Sequence, residues 1–255
     1  MKSWNTKLDL LWQVSNNDYK RMYSISKGNG KRFVITDIHG CYKTFRQLLD
    51  KIDFTKNDQL FILGDLINRG PYSDKVIDHI KKLIKNDFQI FPLRGNHEQL
   101  VLATHRTSPK HLQNYLKKQN SYQLLNLDGF LKNKYFNFLK ILPYYYKLDN
   151  CYLVHAGFNF EGPEPFKDSR SMLWIRNFKA DEKILDGKFI VHGHDPKSME
   201  EINRALHFNN PILPLDNSCT QPDRIGFGNL LCLNLDTKEL FVQPNLDMNA
   251  KVLKK

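Results

Sequence analysis

Hydrophobic runs alternate with polar turns through the first hundred residues of the chain. Apolar stretches at 33–35, 60–63 and 90–93 each end in a short polar turn containing glycine. The turns read Asp37-Ile38-His39-Gly40, then Gly64-Asp65-Leu66-Ile67-Asn68-Arg69-Gly70, then Arg94-Gly95-Asn96-His97-Glu98. Between them, Phe45, Leu48, Leu49 and Ile52, and then Val76, Ile77, Ile80, Leu83 and Ile84, recur at the spacing of helices with one apolar face. Strand, helix, strand, helix, strand predicts parallel strands joined by crossovers, which brings all three polar turns to one edge of a sheet.

After Glu98 the pattern changes. Residues 99–103 continue the third turn as a helix, and 109–142 hold further amphipathic helices interrupted near Asp128-Gly129. This reads as a helical insertion beside the site, with Tyr115, Tyr122, Phe130, Tyr135, Phe136 and Phe138 as core aromatics. Pro143 ends it, and Tyr144-Tyr145-Tyr146 returns to strand. Two later apolar runs again stop at histidine: 151–154 leads into His155-Ala156-Gly157, and 189–191 into His192-Gly193-His194. Strands are also expected at 211–215, 230–235 and 239–243, the last two as a hairpin around Asp236-Thr237. The predicted architecture is α/β, a four-layer αββα sandwich of two packed mixed sheets flanked by helices. It occupies 32–243, with the insertion at about 105–142. Residues 1–31 form an N-terminal extension, in which Leu8, Leu11 and Trp12 fit either a short helix or a disordered lead, and 244–255 a C-terminal tail.

Composition narrows the picture. With 255 residues and 41% hydrophobic content, one substantial α/β core is the economical arrangement. The formal charge of +11 is compatible with nucleic acid, a membrane surface or a polyanionic substrate, or with no special partner. Lysine is spread along the chain with no dense basic block and no RNA-binding aromatic signature, which argues against nucleic acid. Cys41, Cys151, Cys219 and Cys232 lie far apart, without zinc-knuckle spacing, and read as reduced structural thiols. Charges interrupt the apolar residues of 1–31, so no segment there suits secretion or membrane spanning, and a cytoplasmic location is expected.

The polar turns supply the chemistry. Carboxylates and imidazoles on glycine-bearing turns suit hard or borderline divalent ions, because glycine lets the backbone bend sharply while the side chains point into one cavity. Arg69 and Arg94 beside such a cavity point to a phosphate ester, since guanidinium forks match phosphate oxygens.

In order along the chain, Asp37-x-His39-Gly, Gly-Asp65-x-x-Asn68-Arg69-Gly, Arg94-Gly-Asn96-His97-Glu98, His155-Ala-Gly and His192-Gly-His194 resemble the signature blocks of the calcineurin-like metallophosphoesterases. The resemblance spans about 32–243, and the Gly-Asn-His-Glu form is similar to the phosphoprotein phosphatase branch, especially the compact bacterial and phage serine/threonine protein phosphatases. It implies two divalent ions, manganese first and iron or zinc as substitutes, about 3.5 Å apart. They would polarise the phosphoryl group and lower the pKa of a bridging water until, as hydroxide, it is the nucleophile. It assigns Asp37 and His39 to the first ion, Asp65 to a bridge, and Asn96, His155 and His194 to the second. It further makes Arg69, Arg94 and Arg176 phosphate-binding residues and His97 the general acid. Glu98 is then a partner that supports the ligands, or else an acidic residue favoured by the helix dipole; the motif favours the first. Asp216 takes a structural or supporting place. His192 is not a ligand, and His79, His105, His111 and His207 fall outside every block.

One departure matters. The phosphatase pattern has aspartate at the position of Asn68, where its charge orients the acid histidine and keeps it protonated; asparagine brings no charge. Phosphomonoester hydrolysis, on a phosphorylated protein or a small phosphoester, is the first expectation. The symmetrical bis(5'-nucleosyl)-tetraphosphatases are the alternative. They resemble this chain in having an uncharged residue in that slot, within a Gly-Asp-Leu-x-x-Arg-Gly-Pro block that 64–71 matches, although their third block usually ends in Asp rather than Glu. A pseudophosphatase that binds phosphorylated partners without turnover is the reading from another class.

Overall fold

The computed structural model describes residues 22–248. In chain order its elements are β1 (Met22–Ser24), β2 (Arg32–Ile35), α1 (Tyr42–Lys51), β3 (Gln59–Ile62), α2 (Ser73–Lys85), β4 (Gln89–Pro92), α3 (Asn96–Thr107) and α4 (Pro109–Lys118). After a 3-10 turn (Tyr122–Leu124) come α5 (Asn133–Lys140), β5 (Tyr145–Lys147), β6 (Cys151–Val154), α6 (Ser169–Trp174), α7 (Glu182–Leu185) and β7 (Phe189–His192). The chain closes with α8 (Met199–His207), β8 (Ile212–Pro214), β9 (Asn229–Asn234) and β10 (Leu240–Pro244).

Two five-stranded sheets result, ordered β10-β9-β2-β3-β4 and β1-β5-β6-β7-β8. β2, β3 and β4 are parallel, with Val34 opposite Phe61 and Phe61 opposite Phe91. β6, β7 and β8 are likewise parallel. The sheets are buried on both faces, so their strands read as near-continuous apolar runs, and the period of two decides which layer each side chain joins. Phe33, Ile35, Leu60 and Ile62 meet Phe45, Leu48, Val76, Ile80 and Val101 of the overlying helices. Their neighbours Val34, Phe61, Leu63, Leu231 and Leu233 interdigitate with Cys151, Leu153 and Val191 of the other sheet. On the far side Tyr152, Val154 and Ile190 pack with Met172, Leu173 and Leu185. These are the four layers expected from the sequence. At the sheet interface Phe61 stacks on Phe91, with ring centroids 5.0 Å apart, and meets the edge of Tyr146 at 5.8 Å.

The two ends correct the expected boundaries. β1 lies inside the segment set apart as an extension, yet it pairs in parallel with β5, Tyr23 opposite Tyr146. At the other end Asp247 accepts the Lys43 and Thr44 backbone N–H groups at 3.0 and 2.9 Å and the Thr44 hydroxyl at 2.7 Å. It thereby supplies the cap that Cys41, at the N-cap position of α1, does not. These tail residues are part of the domain because a helix N-terminus needs acceptors and the local sequence has none. The candidate helix near Leu8 and Trp12 lies outside the described residues. All four cysteines are free and buried. No helix among the described residues is long and apolar enough to cross a membrane.

Candidate metal centre

Parallel strands deliver their following turns to the same edge, and in both sheets that edge carries the polar residues. The turns are stitched together by backbone: His39 N–H donates to the Asp65 carbonyl at 2.8 Å, Gly40 N–H to Leu66 at 2.9 Å, and Gly193 N–H to His155 at 2.8 Å. Asp37, His39, Asp65, Asn68, Arg69 and His194 all have positive φ, between 47° and 74°. Asp, Asn and His tolerate that region better than other non-glycine residues, and strain concentrated at one edge is the mark of a functional site. Packing is equally tight. A Cβ on Gly95 would stand 2.2 Å from Asp65 Oδ1, and one on Gly193 would stand 2.0 Å from Asp37 Oδ2.

Glu98 holds the second and third turns in place. Fully buried, its Oε2 accepts the N–H groups of Asp65 at 2.9 Å and Gly95 at 2.8 Å, and its Oε1 those of Leu66 at 2.9 Å and Ile67 at 3.3 Å. Of the two readings of this residue, the geometry selects the supporting partner. Burial pushes its carboxyl up to about 7 against the four amides that favour the charged form.

The histidines are oriented as ligands. His39 Nδ1 lies 2.9 Å from the Ile67 carbonyl and His155 Nδ1 2.8 Å from the Leu63 carbonyl. A carbonyl only accepts, so both rings carry their proton on Nδ1 and present a bare Nε2 to the centre. Burial, then the Arg69 charge, holds His39 well below the usual histidine range, so it is neutral and ready to ligate. Its buried Nε2 has no hydrogen-bond partner among the described residues. Asp65 lies between the two groups: Oδ2 is 3.5 Å from His39 Nε2, and Oδ1 is 3.6 Å from His155 Nε2. Asn96 Oδ1 is 2.9 Å from His155 Nε2 and 3.0 Å from His194 Nδ1. Asp37 Oδ1 lies 3.9 Å from His39 Nε2, and Asp37 Oδ2 accepts from the Thr36 hydroxyl and the His194 N–H. Candidate ligand atoms within 4.8 Å of one another fall into two groups, His39-Asp65-His97 and Asp65-His155-His194, which share Asp65. Two nests of hard donors joined by one buried carboxylate fit a pair of divalent ions. All six residues expected as ligands are brought together.

Around this centre the remaining expectations divide. Arg69 is exposed at the mouth, with a guanidinium nitrogen 3.5 Å from His97 Nε2. Arg176 reaches the same rim, half exposed and paired with Asp195 at 2.7 Å; Asp195 also holds Lys197 at 2.8 Å. Arg94 corrects the expectation of a phosphate contact. Its buried guanidinium donates to Gln99 Oε1 at 2.8 Å and to the Lys140 carbonyl at 2.8 Å, and lies over the Tyr144 ring. It ties the third turn to the end of α5 because the carbonyls at a helix C-terminus need donors. Asn68 is fully buried, and its Nδ2 is 2.9 Å from His97 Nδ1 and 3.2 Å from the Tyr115 hydroxyl. Burial, then Arg69, drives His97 down to about 3, so it is a neutral imidazole near neutral pH. Asp216 accepts the Ser218 N–H at 2.7 Å and shapes its turn.

The other histidines do not belong to the centre. His192 faces Phe178, His79 packs between Tyr42 and Phe45, His105 lies on Phe136 and His207 on Phe208; His111 is exposed on α4. The sequence reading missed three site residues. Tyr115, expected among the core aromatics, turns its hydroxyl to Asn68, and Tyr122 and Phe130, expected beside it, are exposed. Thr36 and Asp195 each adjoin a named ligand, and that adjacency was the available signal.

The family model for calcineurin-like phosphoesterases matches residues 31–217. A symmetrical bis(5'-nucleosyl)-tetraphosphatase of Buchnera aphidicola is 39% identical over 109 residues, covering 39% of this chain and 39% of that protein. One of Wigglesworthia glossinidia brevipalpis is 52% identical over 67 residues, covering 26% of this chain and 24% of its own. The match thus spans well under half the length of these curated relatives. Among solved structures, one described provisionally as a diadenosine tetraphosphatase superposes with TM-score 0.67 at 20% identity, over 90% of this chain and 100% of that one. A protein serine/threonine phosphatase from Saccharomyces cerevisiae superposes with TM-score 0.58 at 16% identity, over 96% and 89%. At such identities these structures share the fold.

Proposed function

Because the chain belongs to the calcineurin-like phosphoesterase family, we propose that it is a metal-dependent hydrolase of phosphoanhydrides, with a dinucleoside tetraphosphate cut symmetrically into two nucleoside diphosphates as its substrate. This reverses the order of preference drawn from the motifs, which put a protein serine/threonine phosphatase first. The observation that carries it is the uncharged Asn68 amide against His97 Nδ1. A neutral His97 is a weak acid, which handicaps release of an alkoxide such as serine but hardly that of a phosphate, whose oxygen leaves as a stable anion. The partial matches to symmetrical tetraphosphatases support the same choice.

Asp37, His39, Asp65, Asn96, His155 and His194 would hold two divalent ions, and these supply Lewis-acid polarisation and an activated water when bound. Manganese is the first ion to test, since this donor set accepts Mn, Fe or Zn. The chain's own groups do the rest. Arg69 and Arg176 clamp phosphate oxygens at the mouth, His97 hydrogen-bonds the departing oxygen, and Glu98 and Arg94 keep the turns in register. Incubation with manganese and either diadenosine tetraphosphate or a phosphoserine peptide tests the reading. ADP as the only nucleotide product, with kcat/KM well above that for the peptide, is expected; faster peptide dephosphorylation refutes it. An Asp65→Asn control should lose both activities.

A further inference from the structure

The contacts of Asn68 go beyond supplying an uncharged neighbour to His97. Its side-chain amide is completely buried, and its Nδ2 carries two hydrogens with an acceptor for each: His97 Nδ1 at 2.9 Å and the Tyr115 hydroxyl oxygen at 3.2 Å. The Oδ1 atom has no partner among the described residues. Reversing the amide would let Oδ1 accept from both neighbours but would strand two N–H bonds in place of one carbonyl oxygen, the costlier arrangement. The backbone around the amide is pinned as well: Asn68 N–H lies 2.9 Å from Ser73 Oγ and 3.1 Å from Ser121 Oγ, and Arg69 N–H donates to the Gln119 carbonyl at 2.8 Å. Ser121 and Gln119, like Tyr115, come from the helical insertion, so the insertion itself sets the Asn68 turn.

We propose that Tyr115 is a positioning residue which, by accepting the second Asn68 N–H, locks His97 in the tautomer that carries its proton on Nε2. That nitrogen faces the mouth, 3.9 Å from the acceptor Asp65 Oδ2; the exposed Arg69 guanidinium, which only donates, lies 3.5 Å away and must turn toward substrate or solvent when Nε2 carries the proton. His97 then offers the departing oxygen a hydrogen bond and keeps its proton, so the oxygen leaves as an anion and the proton of the attacking water goes to solvent. An aspartate in the same slot would accept from Nδ1–H and favour the imidazolium with a proton on both nitrogens, whose Nε2 proton can pass to a leaving group that must be protonated. The inference bears on substrate class and rests on the proposed function for that consequence; the tautomer is a property of the chain alone.

The test is nitrogen-15 NMR of the histidine side chains in the full chain loaded with diamagnetic zinc, with His97 assigned by substitution. The expected result is a protonated Nε2 and a bare Nδ1 in the wild type at neutral pH, with Nδ1 gaining a proton in Asn68→Asp. Tyr115→Phe, which keeps the ring and removes only the acceptor, should mix the two tautomers. It should also lower kcat for diadenosine tetraphosphate about two- to tenfold, the worth of one hydrogen bond, with KM and bound metal unchanged. A merely structural tyrosine would alter the melting temperature or all substrates equally and leave the tautomer untouched. A proton on Nδ1 in the wild type, or an unaltered tautomer in Tyr115→Phe, overturns the inference. If the wild type fails to cleave the tetraphosphate, the proposed function falls while the NMR result still decides the tautomer lock.

Discussion

Replacing Glu98 by glutamine keeps the size of the side chain and removes half of its acceptors. The two carboxylate oxygens receive four backbone N–H groups, two each, from Asp65, Leu66, Ile67 and Gly95. A glutamine carbonyl can serve one pair; its NH2 then confronts the other pair, donor against donor. Two buried N–H groups left without acceptors cost about 1–3 kcal/mol each, so the loss should be about 2–6 kcal/mol. That is a large part of the roughly 5–15 kcal/mol that holds a domain together. The damage falls on the turn that presents Asp65, so metal affinity should drop with stability. Urea unfolding of metal-free wild type and variant at pH 7.5, paired with calorimetric manganese titration, checks both. A destabilisation below about 1 kcal/mol with unchanged metal affinity would show that the amides find other partners and that Glu98 does not hold the turn.

Burial raises Asp65 and Glu98 to about 7 from the ordinary carboxylate range, and raises Asp37 in the same direction. The metal-free native state therefore keeps carboxyl protons that the unfolded chain has released, which lowers stability as pH rises from about 4 to about 7, while His39, His97, His192 and His194, held neutral, act in the opposite direction below the ordinary histidine range. Asp65→Asn removes one of the carboxyls, so its stability relative to wild type should rise across that range, and denaturant midpoints that kept a constant difference would refute this. Asn68→Asp should raise turnover of phosphoserine relative to aryl phosphate, since acid catalysis is worth on the order of 10²–10⁴-fold, chiefly for poor leaving groups; equal changes in kcat/KM would remove the argument. Gly95→Ala should cut turnover at least ~10²-fold by displacing Asp65, whose Oδ1 and backbone nitrogen would lie 2.2 and 2.4 Å from the new methyl group. Retention of activity and of bound metal in this variant would contradict the close packing.

By itself the sequence determined every strand of the two sheets except β1, and the turns that carry the candidate ligands. Apolar runs that stop at Asp37, Asp65, Asn96, His155 and His194 encode both the strand and the turn that follows it, and local order along the chain carries that information. What only the tertiary structure decided was direction and partnership. Arg94 looks like a phosphate ligand beside Asn96 and His97, and the carbonyl at Lys140 turns it away. Tyr115 reads as one more core aromatic until its hydroxyl meets Asn68. Asp247 lies in what reads as a tail and caps a helix more than two hundred residues earlier in the chain. Each of these outcomes depends on an unsatisfied donor or acceptor finding a partner across space, and the pattern of apolar and polar residues along a chain does not record where that partner will be.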